Sequence, residues 1–166
     1  MLKLYKSRKS FHKIFIINQQ SLQKILGDFC VIEHVGSTAV SGVGGKGIID
    51  ILIGLEDDRQ IDEAVKKLVN NGYFSGRNSQ GRRDYVFLAS TEEDTTLGDT
   101  HLHLVLKKSK DFKDFIKVRD FLRQNPEEAK KYSELKYKIA KETGYNREEY
   151  KRQKSKLVET ILKAVN

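Results

Sequence analysis

Apolar residues along this chain fall into two rhythms, one of about three and a half residues and one of two. Over residues 8–27 the apolar positions are Phe11, Ile14, Phe15, Leu22, Ile25 and Leu26, which is helical spacing, and Gly27 stands where the helix should stop. A short strand around Cys30–His34 follows, then a turn rich in glycine and serine, GSTAVSGVGGKG, then the run IIDILIGL. That run is β-branched and apolar except for Asp50, which predicts a buried central strand. Asp57 or Asp58 caps the next helix, whose stripe is Ile61, Ala64, Val65, Leu68 and Val69, closed by Gly72. Tyr73 and Phe74 begin another short strand, and the polar loop SGRNSQG leads on to RRDYVFLA. The acidic loop TEEDTTLGD then joins it to HLHLVLK. Both flanking runs alternate with period two, which predicts neighbouring antiparallel strands.

From Lys108 onward the rhythm is helical to the end. One helix is expected over about 111–124, with Phe112, Phe115, Ile116, Val118, Phe121 and Leu122 as its apolar positions. Asn125 followed by Pro126 reads as the cap and first turn of a second helix, which Gly144 ends. Asn146 can cap a third, over roughly 147–165. The expected fold class is therefore α/β (α+β). A mixed β-sheet flanked by helices occupies 1–108, and a helical extension over 109–166 packs on it to make one compact unit.

Composition narrows the setting. No run approaches the ~20 apolar residues that span a bilayer. The basic N-terminus is followed by no apolar run with a small-residue cleavage site, so no secretory signal or membrane partner is expected. The lone Cys30, between Phe29 and Val31, reads as a buried small hydrophobe. Together these features read as cytoplasmic. Charge is uneven: residues 1–106 carry 13 Lys/Arg and 13 Asp/Glu, whereas 107–166 carry 18 and 10, so the whole net +8 lies in the helical part. That excess fits an electrostatic platform for phosphates or RNA, and equally a solvated helix surface rich in lysine.

The informative segment is Glu33–Asp50, EHVGSTAVSGVGGKGIID. Gly42, Gly44 and Gly47 satisfy G-x-G-x-x-G, but a strand follows where a dinucleotide-binding loop needs a helix. The P-loop pattern fails as well, at Val40 and Gly47. A Gly36-Ser37 pair opening a helical turn, with an acid on the next strand, is instead similar to the nucleotidyltransferase core. In that core the glycine lets backbone approach a triphosphate, Ser37 would hold phosphate oxygens, and Asp50 would hold a divalent metal. The plain alternative is a tight glycine turn beside a half-buried Asp.

The longer string HVGSTAVSGVGGKGIIDIL resembles the GrpB family, whose members carry HxGSTAVPG, a short gap, then KPxxDI. His34, Gly36, Ser37, Thr38, Ala39, Val40, Gly42, Lys46 and Asp50 stand at matching places, and the likeness runs on through RRDYVF, HLHLV, FLRQNPEEAKKYSELK and YKRQKSKLVETI. The resemblance implies a nucleotidyltransferase-like fold and a nucleotide or phosphorylated small molecule as partner. Ser41 and Gly47 replace two prolines of the family pattern, which predicts a less preorganised loop. Active members of the superfamily place two acids two apart on the strand. Here the partner of Asp50 is Leu52, which cannot ligate Mg²⁺.

His101 and His103 offer a substitute, since they share a strand face opposite Leu102, Leu104 and Leu106. With Asp50, and with His34 as a further candidate, they would form a nitrogen–oxygen site for a divalent metal, Mg, Mn or Zn, and such ligands suit Zn, Mn or Fe better than Mg. The same histidines could instead bond an anion or the backbone. Asp50 and His103 are the candidate catalytic residues, and Asp50, His101 and His103 the candidate metal ligands. Gly36, Ser37, Thr38, Lys46, Arg83 and Lys136 are the candidate phosphate-binding residues. Arg82 and, by the family pattern, Arg119 are further cations facing the cleft. Tyr132 with Lys136, and Tyr150 with Lys154, share helix faces: the rings either stack on a ligand or pack the extension onto the core. Three functions remain open: a metal-dependent nucleotidyl- or phosphoryl-transferase, a non-catalytic nucleotide-binding module, and an RNA-associated protein.

Overall fold

A computed structural model of the chain describes residues 2–75, 82–91 and 99–165; most of the two loops expected between 75 and 99 lies outside the described residues. Helix α1 (Ser10–Leu26) leads into strand β1 (Val31–Val35), a 3-10 turn (Ser37–Ala39) and strand β2 (Ile49–Leu55). Helix α2 (Asp58–Asn70) is capped by Asp57, whose carboxylate accepts the Gln60 N–H at 3.0 Å. Strands β3 (Phe74–Ser75), β4 (Tyr85–Ala89) and β5 (Thr100–Leu106) complete the sheet, and helices α3 (Lys110–Gln124), α4 (Pro126–Glu142) and α5 (Arg147–Val165) follow. None of these helices is long and apolar enough to cross a membrane.

The sheet runs in the order β1-β2-β5-β4-β3. Strands β2 and β5 are parallel at its centre, and the other three pairings are antiparallel, including the expected β4–β5 pair. The register sets Asp50 opposite His101 and Leu52 opposite His103. Alternation then sorts the strands onto two faces. Ile49, Ile51, Ile53, Leu102 and Leu104 pack with α1 and α2 in the main core, while Leu52, Val35 and Val105 pack against Phe112, Phe115 and Ile116 of α3. The extension closes onto this second face through Val40 and Val43, which cluster with Leu122, Ala129, Tyr132 and Ile161.

Two local expectations need correction. Asn125 does not cap α4 with its side chain; its amide donates instead to the Phe121 carbonyl at 2.8 Å, so it finishes α3. Pro126 alone supplies the helix start, because its ring already holds the φ of a first turn. Cys30 is half-buried against the main core rather than fully enclosed, and burial pushes its thiol up, as expected of a small hydrophobe.

Candidate phosphate and metal site

The site lies on the α3 side of the sheet. Gly36 sits at φ +71°, where only glycine is comfortable, and a Cβ there would lie 2.4 Å from Asp50 Oδ2. The turn therefore rests directly on the Asp50 carboxylate. His34 and Thr38 fasten it from the other side: the two lie 3.0 Å apart, and the Thr38 hydroxyl donates to the Ile48 carbonyl at 3.3 Å. Thr38 thus fixes the turn and has its hydroxyl committed, whereas Ser37 faces a cavity.

Asp50 Oδ1 lies 3.2 Å from His103 Nε2 and 3.4 Å from His101 Nδ1, and one ligand atom from each of the three falls within 4.8 Å of the others. Burial alone would push the Asp50 carboxyl up. The hydrogen bonds from His101 and His103, and their charge, hold it well below the usual carboxylate range. Tyr85 adds an outer contact, its hydroxyl 2.7 Å from His103 Nδ1. Burial and the Asp50 charge push that phenol up to about 12, so it stays protonated. The His103 ring thus stands between the two, with Tyr85 on Nδ1 and Asp50 on Nε2. Phe87 and Phe115 fence the rings; Phe115 stands 4.8 Å from His103, and Phe87 4.8 Å from His101.

His34 is not in this cluster. It projects to the opposite face, stacked on Phe15 at 4.5 Å, and its Nδ1 is buried with no partner among the described residues. Burial lowers its pKa to about 4, so it is neutral. Period two explains this, because His34 pairs with Ile51 rather than Asp50.

Beside the cluster lies a cavity of about 250 Å³ between the sheet and the extension. Gly36 and Ser37 form one wall, Phe115, Val118 and Leu122 a second, and Tyr132, Lys154 and Val158 a third. The glycine loop after the turn is held at three places. Gly45 pairs with Tyr5 through two backbone bonds of 2.7 and 2.9 Å, Gly42 N–H reaches Ser7, and Gly44 N–H donates to Ser133 at 3.0 Å. The two missing prolines therefore do not leave it loose. Gly47 adopts φ +76°, which proline cannot, so this backbone is particular to the glycine.

Lys136, on α4, is buried beneath this loop and donates to the Gly44 carbonyl. Lys46 is half-buried. Arg83 lies exposed on the turn into β4, outside the cavity wall. Arg82 is committed to Asp84 and Asp111, and Arg119, which lines the cavity, to Glu33, Asp120 and the His34 carbonyl. Sequence reasoning missed Tyr85 as a partner of His103, although alternation had already set Tyr85 and Phe87 on one face. It also weighed Lys154 without placing it on the cavity wall.

Comparison with known proteins places the chain by family and fold. The family described as GrpB protein matches residues 1–164. The chain is 30% identical over 157 residues to glutamate-rich protein GrpB of Alkalihalophilus pseudofirmus, covering 93% of this chain and 90% of that one. A UPF0157 protein of Vibrio cholerae is 31% identical over 131 residues, 79% of this chain but only 65% of that relative's length. Among solved structures, conserved protein GrpB from Enterococcus faecalis superposes with a TM-score of 0.85 at 24% identity, over 98% of this chain and 96% of that one. Cid1, an RNA terminal uridylyl transferase, shares the fold with a TM-score of 0.57 at 10% identity, over 82% of this chain and 41% of its own. The fold is thus mixed α+β of nucleotidyltransferase type, and the chain belongs to the GrpB family.

Proposed function

We propose that this protein binds the phosphates of a nucleotide or another phosphorylated small molecule beside Ser37. A divalent metal on Asp50, His101 and His103 would make the site one of nucleotidyl or phosphoryl transfer. One observation carries the reading: Gly36 lies against Asp50 Oδ2 and also walls the cavity with Ser37, so turn, acid and hollow are continuous.

The donor set fits a metal of the Mn or Zn class better than Mg, because two of three ligands are imidazoles. Such a metal would supply charge neutralisation at phosphate oxygens and lower the pKa of an attacking hydroxyl. The chain's own groups do the rest. Gly36 leaves the backbone open to approach, and Ser37 donates to a phosphate oxygen. Lys136 and Lys46 offset negative charge, while Thr38 and His34 keep the turn in place. With the Tyr85 hydroxyl accepting from Nδ1–H, His103 Nε2 would present its lone pair to the metal. The apolar walls suit the ring of a nucleobase.

A second reading, a binding module without catalysis, is favoured by Leu52. It is fully buried with Val35 and Val105, so the place of a second carboxylate is filled with hydrocarbon. Metal analysis of the purified protein, followed by a screen of labelled nucleotides for binding and turnover, separates the two. Turnover lost in Asp50→Asn and His103→Ala supports transfer. Tight binding without turnover under any divalent metal leaves the binding module, and no binding at all removes both.

A further inference from the structure

The cavity between the sheet and the extension is hydrocarbon along most of its wall, at Phe115, Val118, Leu122 and Val158. Two polar side chains from different helices interrupt it, Arg119 of α3 and Tyr132 of α4, which are 9% and 6% exposed. Arg119 is only partly engaged. Its Nε donates to Asp120 at 2.7 Å, and its Nη1 donates to Glu33 at 2.6 Å and to the His34 carbonyl at 3.2 Å. Nη2, with two N–H groups of its own, meets no partner among the described residues. The Tyr132 hydroxyl has none there either, although the face of its ring lies 5.3 Å from Lys136 Nζ.

Neither tip is sealed inside the protein. Among the described residues, His34 Nδ1 is the one fully enclosed side-chain polar atom that lacks a partner. Nη2 and the Tyr132 hydroxyl therefore reach open space, and for side chains this buried that space is the cavity both line. Glu33 and Asp120 already offset the Arg119 charge, so Nη2 offers a hydrogen bond to a neutral oxygen rather than a site for an anion. A guanidinium can only donate. Burial and then Asp50 push the Tyr132 phenol up, so it keeps its proton to donate as well. The carboxylates at the rim, Asp111 and Asp114, are taken up by Arg82 and Lys110. At about 250 Å³ the cavity falls below the ~300–1,000 Å³ usual for ligand pockets, which suits one flat ring system.

We infer that this cavity is a base subsite in which Arg119 Nη2 and the Tyr132 hydroxyl donate to a ring carbonyl, so that the protein selects nucleotides with an oxo base over those of adenine. The inference deepens the nucleotide reading given above and rests on it. Guanine and hypoxanthine carry an oxygen acceptor where adenine carries an amino donor. With adenine the Arg119 N–H groups would face N–H groups, and a donor left unpaired away from water is costly. Only hydrogen bonds are made; no covalent bond changes.

The test is calorimetric titration of the full chain with inosine triphosphate, GTP, ATP and inorganic triphosphate, with Mn²⁺ present throughout. Inosine triphosphate matches ATP in size and differs in the oxo group. It and GTP should each bind at least about tenfold more tightly than ATP. Tyr132→Phe keeps the ring and removes the hydroxyl; it should weaken inosine triphosphate about fivefold and leave inorganic triphosphate unchanged. Arg119→Gln, which can accept as well as donate, should bring the two purine affinities together. If the wild type binds ATP as tightly as inosine triphosphate, the base selection is wrong, and binding of inorganic triphosphate then leaves the phosphate reading standing. Inorganic triphosphate binding as tightly as inosine triphosphate overturns the base subsite in the same way. If inorganic triphosphate and all three nucleotides fail to bind, both readings fall.

Discussion

One sheet has two faces here, built from the same strands and opposite in chemistry. Toward α1 and α2, Ile49, Ile51, Ile53, Leu102 and Leu104 make a dry aliphatic layer. Toward α3, the intervening residues are Asp50, Leu52, His101, His103 and Val105, and the helices beyond bring in Lys136, Arg119 and Tyr132. The dry face is stabilised by area removed from water and asks little of geometry. The other face buries polar groups, each of which must meet a partner or stay neutral. It also brings backbone into close contact at Gly36 and Gly45, where a methyl group would collide with Asp50 and Ser37. One face holds the fold; the other spends part of that stability on a site.

Leu52 is where the polar face behaves like the dry one, so it gives the largest test. Leu52→Asp restores a second acid two residues from Asp50, but among Val35 and Val105. Without metal we expect a loss of about 3–5 kcal/mol in denaturant unfolding, the cost of an uncompensated buried charge. Saturation with Mn²⁺ at a hundred times its dissociation constant should return about 2.7 kcal/mol. No loss without metal would show that Leu52 is not packed as described. Ile51→Ala, on the dry face, should lose about 2–5 kcal/mol by cavity formation and leave metal and anion binding unchanged. An equal loss of binding would mean that the faces are not independent.

His34 crosses the division, since it reaches the turn from the dry side. Its imidazole has a pKa of about 4 in the folded chain against an ordinary 6.5, so folding disfavours its charged form. Above pH 6.5 both states are neutral there and nothing is lost. As pH falls from 6.5 to 4 the unfolded chain binds the proton first, and stability drops by a total of about 3 kcal/mol. Asp50 acts in a lower window, because its carboxyl is held below the ordinary 3.8. The difference in stability between wild type and His34→Gln across pH 4 to 7 isolates the histidine. A constant difference would sink the assignment.

The same contrast explains what could be read from sequence. The dry face was legible because periodicity reports burial directly: α1, α2, β2 and β5 fall within a few residues of their expected places. Asp50, His101 and His103 were legible as a group because period two sets them on one side and the motif orders the strands. Three things were not. His34 stood in the same motif, yet strand parity turned it away. The anchoring of the glycine loop by Tyr5, Ser7 and Ser133 joins residues more than 30 positions apart, which no local pattern carries. The burial of Lys136 was hidden for the same reason, since a lysine four after a tyrosine usually covers a surface ring.

Gly36→Ala tests whether the close approach of the turn to Asp50 matters. The new methyl would meet Asp50 Oδ2 in a backbone region unfavourable to alanine, for which about 1–3 kcal/mol of stability should be lost. Metal uptake should weaken as well, because relief requires Asp50 to move. A variant that kept full metal affinity would show the carboxylate free to adjust, and with it that turn and metal site are not coupled.

The smallest effect should come from Arg82, a cation that looks functional by its place in the motif. Its guanidinium donates to Asp84 at 2.9 Å and to Asp111 at 2.6 Å, and all three groups are a third to a half exposed. An exposed pair of this kind is worth about 0–1 kcal/mol, because water competes for both charges. Arg82→Ala should therefore shift stability by less than about 1 kcal/mol in denaturant unfolding, the smallest change of the series. A loss of about 3 kcal/mol instead would show that water does not reach these charges, as in a buried pair. The polar face would then extend past the cavity to the start of β4.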